Sequence, residues 1–260
     1  MTNQSQHVTP AAARYPDLAG KVVLVSGGAS GIGESIVRAF SAQDAKVGFI
    51  DIAEEAGRKL ADELGAHSAF FACADITNVP ELKGAIAAIV QHFGAADVLV
   101  NNAARDDRQD SLTVTQDFWD QQMAVNLRHQ FFASQAVLEG MKEKGGGSII
   151  NLSSISWMTG VGGMAAYTAC KSAIIGLTRS LARDFGPYNI RVNAVSPGWI
   201  PTERQKRLWI KPDTEKQLFE AQCLKRWLTR EEIANFIVFL ASSGASACTS
   251  QNYVVDGGWA

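Results

Sequence analysis

No stretch of this chain approaches the ~18 consecutive apolar residues of a membrane-crossing helix, so a helical membrane span is excluded. Cysteine is scarce: the four present, Cys73, Cys170, Cys223 and Cys248, are scattered without metal-ligand spacing. No metal is therefore expected, and free thiols in a reduced, cytoplasmic chain are. Basic blocks are absent and the formal net charge is -2, which removes the electrostatic reason to expect nucleic acid. There is no repeat, low-complexity segment or linker. The first fifteen residues lack the charged-then-apolar pattern of a secretory signal and read as a flexible tail, 1–15. What remains, 16–260, reads as one domain. With 47% apolar and 19% charged residues, the chain can bury a large single core.

Strand and helix patterns alternate through that domain. Lys21-Val22-Val23-Leu24-Val25 is a continuous β-rich apolar run, as in strands buried on both faces. It ends in Ser26-Gly27-Gly28-Ala29-Ser30-Gly31-Ile32-Gly33, and a helical pattern with Ile36, Val37 and Phe40 follows at once. Such a turn offers close backbone approach and a helix N-terminus to a pyrophosphate. The second strand, 46–50, ends at Asp51, an acid about twenty residues on that suits an adenosine ribose. Further strands are expected at 69–73, 97–100, 149–152, 190–195 and 253–255. Helices are expected at 56–64, 82–93, 117–141, the segment after Met164, and 231–240. Seven strands separated by helices predict a Rossmann-type α/β fold, a doubly wound parallel sheet with helices on both faces.

The chemistry concentrates between Ile149 and Asp184. An apolar run ends in Ser153-Ser154, a glycine-rich loop follows, and a helical pattern carries Tyr167 and Lys171. Tyr and Lys four apart share one helix face. A hydroxyl from a strand end, a phenol and an ammonium can thus meet at one point, a set suited to moving a proton on a substrate oxygen. A phenol ionises near ~10, and bringing it to ~7 takes roughly 4 kcal/mol; a neighbouring cation such as Lys171 works in that direction. Cys170 points off that face and reads as packing, and His129 reads as a packed or surface histidine. Residues 199–227 are too long for a simple connection. They read as two short amphipathic helices, either a substrate lid or a surface for a partner subunit.

With these residues in place, the chain resembles the short-chain dehydrogenase/reductase family from about Leu18 to Ala260. The turn fits T-G-x-x-x-G-x-G, with Ser26 for Thr and glycines at Gly27, Gly31 and Gly33; Asn101-Asn102-Ala103-Ala104 fits N-N-A-G with Ala104 for the last Gly. Asn126 matches the helix asparagine of a proton relay, Ser154, Tyr167 and Lys171 the catalytic trio, and Pro197-Gly198 the segment near the nicotinamide. The resemblance implies NAD contacts from Gly27, Ser30, Gly31, Ile32, Gly33, Asp51, Ile52, Asp75, Ile76, Asn102, Tyr167, Lys171, Pro197, Gly198, Ile200 and Thr202. NAD is favoured over NADP because Asp51 occupies the place of a 2′-phosphate, and Gly28, Ala29 and Ser30 bring no cation.

More closely, Asn101 to Arg108, Val125 to His129, Ser154-Ile155-Ser156-Trp157 and Gln222 to Lys225 resemble bacterial aldose 1-dehydrogenases of the xylose, arabinose and galactose type. That implies a sugar substrate. A sugar ring needs flat apolar surface and polar groups together: Trp157, three residues past Ser154, and Trp199, directly after Pro197-Gly198, are placed to supply the first, and Ser154, Asn102, Asp106 and Gln222 the second. The wider family resemblance implies a homotetramer paired through the long helices after the fourth and fifth strands, supported by small residues Ala133, Ser134 and Ala136 on one and Ala165, Ala166, Ala169 and Ser172 on the other. A 3-oxoacyl reductase or polyol dehydrogenase would share every catalytic residue. A non-catalytic dinucleotide sensor would be expected to lack one of the trio, and none is missing.

Overall fold

The computed structural model describes residues 12–260. Of the expected tail, 1–11 lie outside the described residues. Ala13 to Tyr15, however, are fastened: Gln43 accepts from the Tyr15 amide at 2.8 Å and donates to the Ala13 carbonyl at 3.0 Å. Tyr15 is therefore anchored to the domain and not part of a free tail.

Seven parallel strands form one sheet: β1 (Val22–Ser26), β2 (Lys46–Asp51), β3 (Ala69–Cys73), β4 (Val98–Asn101), β5 (Gly147–Leu152), β6 (Ile190–Pro197) and β7 (Asn252–Val255). Their spatial order is β3-β2-β1-β4-β5-β6-β7. Helices α1 (Gly31–Ser41), α2 (Glu54–Leu64), α3 (Val79–Phe93), α4 (Gln116–Met123), α5 (His129–Glu143), α6 (Ala165–Phe185), α7 (Glu203–Leu208), α8 (Thr214–Ala221) and α9 (Arg230–Ala241) complete the chain. The chain steps across the sheet one way from β1 to β3 and the other way from β4 onward, so β1 and β4 flank the switch point where open α/β sheets leave a crevice.

Alternation along β1 builds both layers. Val23 and Val25 pack with Ile36, Val37 and Phe40 of α1 and Ile233, Ile237 and Val238 of α9. Leu24 packs on the opposite face with Leu82, Ile86 and Ile89 of α3 and Val137 and Met141 of α5. These side chains are all but inaccessible, and truncating one such as Phe40 to Ala costs ~3–5 kcal/mol.

The long helix expected at 117–141 is interrupted. A π turn, Ala124–Arg128, joins α4 to α5, and such bulges re-aim side chains near functional sites. The 199–227 segment does contain two short helices, α7 and α8. Of the small residues noted on α5 and α6, Ala133, Ser134 and Ala166 face the core, whereas Ala136, Ala165, Ala169 and Ser172 are exposed.

Candidate active site

The turn after β1 is fixed by its neighbour across the switch point. Ser26 Oγ accepts from the amides of Asn102 and Ala103 at 3.1 and 3.2 Å, and Asn102 Nδ2 donates to the carbonyls of Ser26 and Gly27. Gly27 and Gly31 hold positive φ, and a Cβ on Gly33 would lie 1.8 Å from the Gly27 carbonyl oxygen. Only glycine permits this approach. Ser30 caps α1 without a side-chain bond, leaving the first amides of the helix available to an anion. Asp51, ending β2, accepts from Ala29 N and Ala53 N at 3.0 Å each. Asp75 accepts from Thr77 N and Oγ at 2.8 Å.

Gly27, Ser30, Gly33, Asp51, Asp75, Thr77, Asn102 and Ala103 line one cleft of about 820 Å³, along with Ile32, Ile52, Ile76, Pro197, Gly198, Ile200 and Thr202. Gly31 sits just behind, where a Cβ would come within 3.3 Å of the Thr202 methyl. A helix N-terminus laid bare by glycine and a carboxylate at the next strand end fit the pyrophosphate and ribose of a dinucleotide.

Ser154, Tyr167 and Lys171 line the same cleft. Ser154 follows β5 and accepts from Ser156 N at 3.2 Å. Lys171 on α6 is 1% exposed; its Nζ donates to the Leu152 carbonyl at 2.8 Å. In return Ser153 Oγ donates to the Lys171 carbonyl at 2.6 Å. The ammonium lies 5.5 Å from the Tyr167 ring centroid. Burial pushes Lys171 down to about 8. It pushes the Tyr167 phenol up, reinforced by the Asp106 charge and opposed by the Ser154 hydroxyl. The polypeptide alone therefore does not lower the phenol as expected: burial and the Asp106 charge raise it, and the Ser154 hydroxyl is what works the other way.

The molecule's relatives accord with this geometry. A family profile described as enoyl-(acyl carrier protein) reductase matches residues 27–260. A probable galactose dehydrogenase of Rhizobium meliloti is 46% identical over 96% of this chain and 99% of its own. A D-xylose 1-dehydrogenase of Caulobacter vibrioides is 44% identical over 94% and 98%. The chain belongs to the short-chain dehydrogenase/reductase family. It is an oxidoreductase that acts on a CH–OH group. Among solved members, a 7α-hydroxysteroid dehydrogenase complexed with NADH and 7-oxo glycochenodeoxycholic acid superposes with a TM-score of 0.90 at 31% identity, covering 94% of this chain and 96% of that one.

The outer half of this short-chain dehydrogenase/reductase cleft is formed by the loop after β4 and by α7. Asp106 lines it and accepts from Arg204 Nε at 3.2 Å and Gln205 Nε2 at 2.7 Å. Arg204 also donates to Asp107 at 2.7 Å. Gln205 Oε1 accepts from the Trp199 indole at 2.8 Å. Trp199 and Trp209 line the cleft, and Arg108 stacks over the Trp209 ring at 4.2 Å.

Two expected substrate contacts, Gln222 and Trp157, lie outside the cleft lining, and the asparagine matched to a proton relay, Asn126, lies behind it. Gln222 is buried outside the cleft lining, and its amide nitrogen donates to the carbonyls of Leu224 and Arg226 at 2.9 Å each. It folds a turn instead of facing substrate. Trp157 also lies outside the lining, half-buried with its Nε1 unpartnered. Asn126, in the π turn, is fully buried. Its Oδ1 accepts from Arg105 N at 2.9 Å; its Nδ2 donates to Arg105 O and to Gln122 Oε1 at 3.0 and 2.9 Å. The side chain is committed to holding the β4 loop and does not reach the cleft. Asn102, placed with both cofactor and substrate, spends its amide nitrogen bracing the turn.

His129 is packed, as expected: it is fully buried, its nitrogens lack partners in hydrogen-bonding geometry, and burial with the nearby Lys171 charge pushes it to about 3. Cys170 packs its sulfur on the Gln122 carbonyl and Met123. No site role follows from the sequence for Ser153, Gln122, Arg204, Gln205 or Trp209. The first two act on other residues of the site, and the last three come from a segment without motif.

Proposed function

We propose that this protein oxidises an aldose at its C1 hydroxyl to the lactone with NAD. The observation that carries the reading is the make-up of the cleft beyond Ser154, Tyr167 and Lys171. There the flat indoles of Trp199 and Trp209 stand among Asp106, Arg204 and Gln205. A pyranose has hydroxyls at its rim and apolar C–H faces, and it needs both kinds of surface. The names of the galactose and xylose dehydrogenase relatives support the same class.

The dinucleotide would be held by Gly27, Ser30, Ile32 and Gly33 at the α1 terminus, by Asp51, Ile52, Asp75 and Ile76, and by Pro197, Gly198, Ile200 and Thr202. When bound, it supplies the hydride acceptor and a positive ring charge. Tyr167 then takes the proton from the C1 hydroxyl. Ser154 donates to the same oxygen and fixes its place. Lys171, tethered through one donor to Leu152, keeps its ammonium beside the phenol and favours the phenolate. Closure by α7 excludes water and strengthens each of these effects.

NAD is favoured over NADP because Asp51 is met at its end of the cleft by Ser30, Ile52, Asp75, Ile76 and Thr77, with no cation among them. The exposed small residues of α6 and Phe131 of α5, 39% exposed, suit pairing into a homotetramer, which light scattering tests. Among the described residues no helix is long and apolar enough to cross a membrane, and the cysteines are free, in keeping with a cytoplasmic site.

The deciding assay follows NAD reduction with D-xylose, L-arabinose, D-galactose and L-fucose, beside reduction of a 3-oxoacyl thioester. Turnover of at least one sugar is expected. Rapid thioester reduction with no sugar turned over replaces this reading by the acyl reductase one.

A further inference from the structure

After β7 the chain turns through Asp256-Gly257-Gly258-Trp259-Ala260, a segment that the site described above leaves unused. Asp256 is buried, and its carboxylate accepts from three successive amides: Gly258 N at 2.8 Å, Trp259 N at 3.1 Å and Ala260 N at 2.7 Å. Gly257 and Gly258 both hold positive φ, which lets the backbone curl round one carboxylate. The curl is also gripped from outside. Cys223 N donates to the Gly258 carbonyl at 3.0 Å and Leu224 N to the Gly257 carbonyl at 2.9 Å. A Cβ on Gly258 would sit 2.8 Å from Cys223 Cβ, and one on Gly198 would sit 2.8 Å from Asp256 Cα. Gln222, displaced from its expected sugar contact, belongs to this grip.

Trp259, set by that arrangement, lines the active-site cleft. Its neighbour Gly258 packs on Cys223, just past α8, and α8 brings Gln217 and Leu218 to the same cleft. This places the indole on the α7–α8 side, away from Asp51 and Asp75.

We infer that Trp259 is a specificity-determining wall of the substrate subsite, presenting its indole to the apolar face of the sugar ring, and that Asp256 is the positioning residue that seats it. The identity of the ligand as a sugar rests on the aldose reading above; the wall does not. A carboxylate with three backbone donors is a costly and rigid device. It is spent on a short segment whose only large side chain is the one facing the cleft.

The test compares wild type with Trp259→Ala, Trp259→Phe, Asp256→Ala and the double variant, each as the full chain. The readouts are kcat and KM for the best aldose of the panel and the dissociation constant of NAD by fluorescence titration. Trp259→Ala is expected to raise the sugar KM by roughly tenfold or more, with NAD affinity changed by less than about twofold. Trp259→Phe should recover most of the loss. Asp256→Ala should reproduce the KM rise with the indole still present, and the double variant should be no worse than the single ones, because both act through one contact. A sugar KM unchanged in Trp259→Ala, or a loss that falls on NAD instead, overturns the proposal. Should the wild-type enzyme turn over a panel compound other than an aldose, the aldose reading fails. The same KM comparison on that compound still decides the role of Trp259.

Discussion

The ammonium of Lys171 donates to the carbonyl of Leu152 at 2.8 Å, so the last residue of β5 fixes the cation of α6 within 5.5 Å of the Tyr167 ring. Ser153, the next residue, returns a bond from the strand end to the Lys171 carbonyl. Ser154, one further on, faces the phenol. Three consecutive residues thus set the spacing of the trio. The helix contributes the i, i+4 pair and the strand end contributes its depth.

Replacement of Tyr167 by Phe removes the ionisable oxygen and little else. Turnover should fall by ~10²–10⁴-fold, the usual worth of a positioned acid–base group, while NAD affinity stays near wild type. Stopped assays with titration of the dinucleotide check both halves. A variant that keeps more than about a tenth of the rate would remove Tyr167 from the mechanism.

Asp51 makes the cofactor choice electrostatic. A phosphate ~4 Å from its carboxylate costs about 4 kcal/mol at an effective dielectric of ~20. Partial solvation leaves roughly 2–3 kcal/mol, or about a hundredfold in kcat/KM for NAD over NADP. Asp51→Ala should narrow the ratio chiefly by improving NADP. It should also weaken NAD, because the carboxylate braces Ala29 and Ala53. Equal efficiency with both cofactors in the wild-type enzyme would contradict this assignment.

The fold was legible because its signals are local. Apolar β-rich runs, the Gly27–Gly33 turn and the 3.6-residue period of α1, α3 and α9 each announce one element, and a parallel sheet leaves few ways to join them. Tyr167 and Lys171 were legible for the same reason, as their spacing is a helix turn. What stayed hidden depends on where side chains spend their hydrogen bonds. Asn126 and Gln222 look like free polar groups in sequence, but the structure commits them to Arg105 and to the 222–226 turn. The π turn carries no residue signature, so 117–141 reads as one regular helix. Burial of Tyr167 is a collective property, and no spacing rule shows that desolvation and the Asp106 charge would raise its phenol.

Arg204 ties α7 to both Asp106 and Asp107, and Gln205 adds a bond to Asp106. These are partly exposed pairs, together contributing roughly 1–2 kcal/mol. Arg204→Ala should therefore lower the melting temperature by only a few degrees. It should loosen α7, seen as faster limited proteolysis within 199–227, and lower kcat/KM for sugar by about tenfold with NAD affinity preserved. Unaltered proteolysis together with unaltered kcat/KM would show that the pair does not hold the segment over the site.

Lys171 gives the fold a pH signature of its own. Its ammonium ionises near 10.5 when unfolded and about 8 when folded, because burial penalises the charge. Between those values the unfolded chain binds more protons, so this group makes stability rise with pH; below pH 8 the charge costs about 3 kcal/mol. Cys170 opposes it at higher pH, since its thiol is pushed up from 9.0 to about 11. There the folded chain binds more protons and stability falls as pH rises. The clean window is therefore pH 8 to 9. Over it, wild type should gain about 1 kcal/mol relative to Lys171→Met, which removes the titrating group but keeps the chain length. Denaturant unfolding of both proteins at the two pH values measures the difference. Parallel stability in the two proteins would mean that the buried ammonium keeps its ordinary proton affinity, and Lys171 would then hold its charge throughout the working pH range.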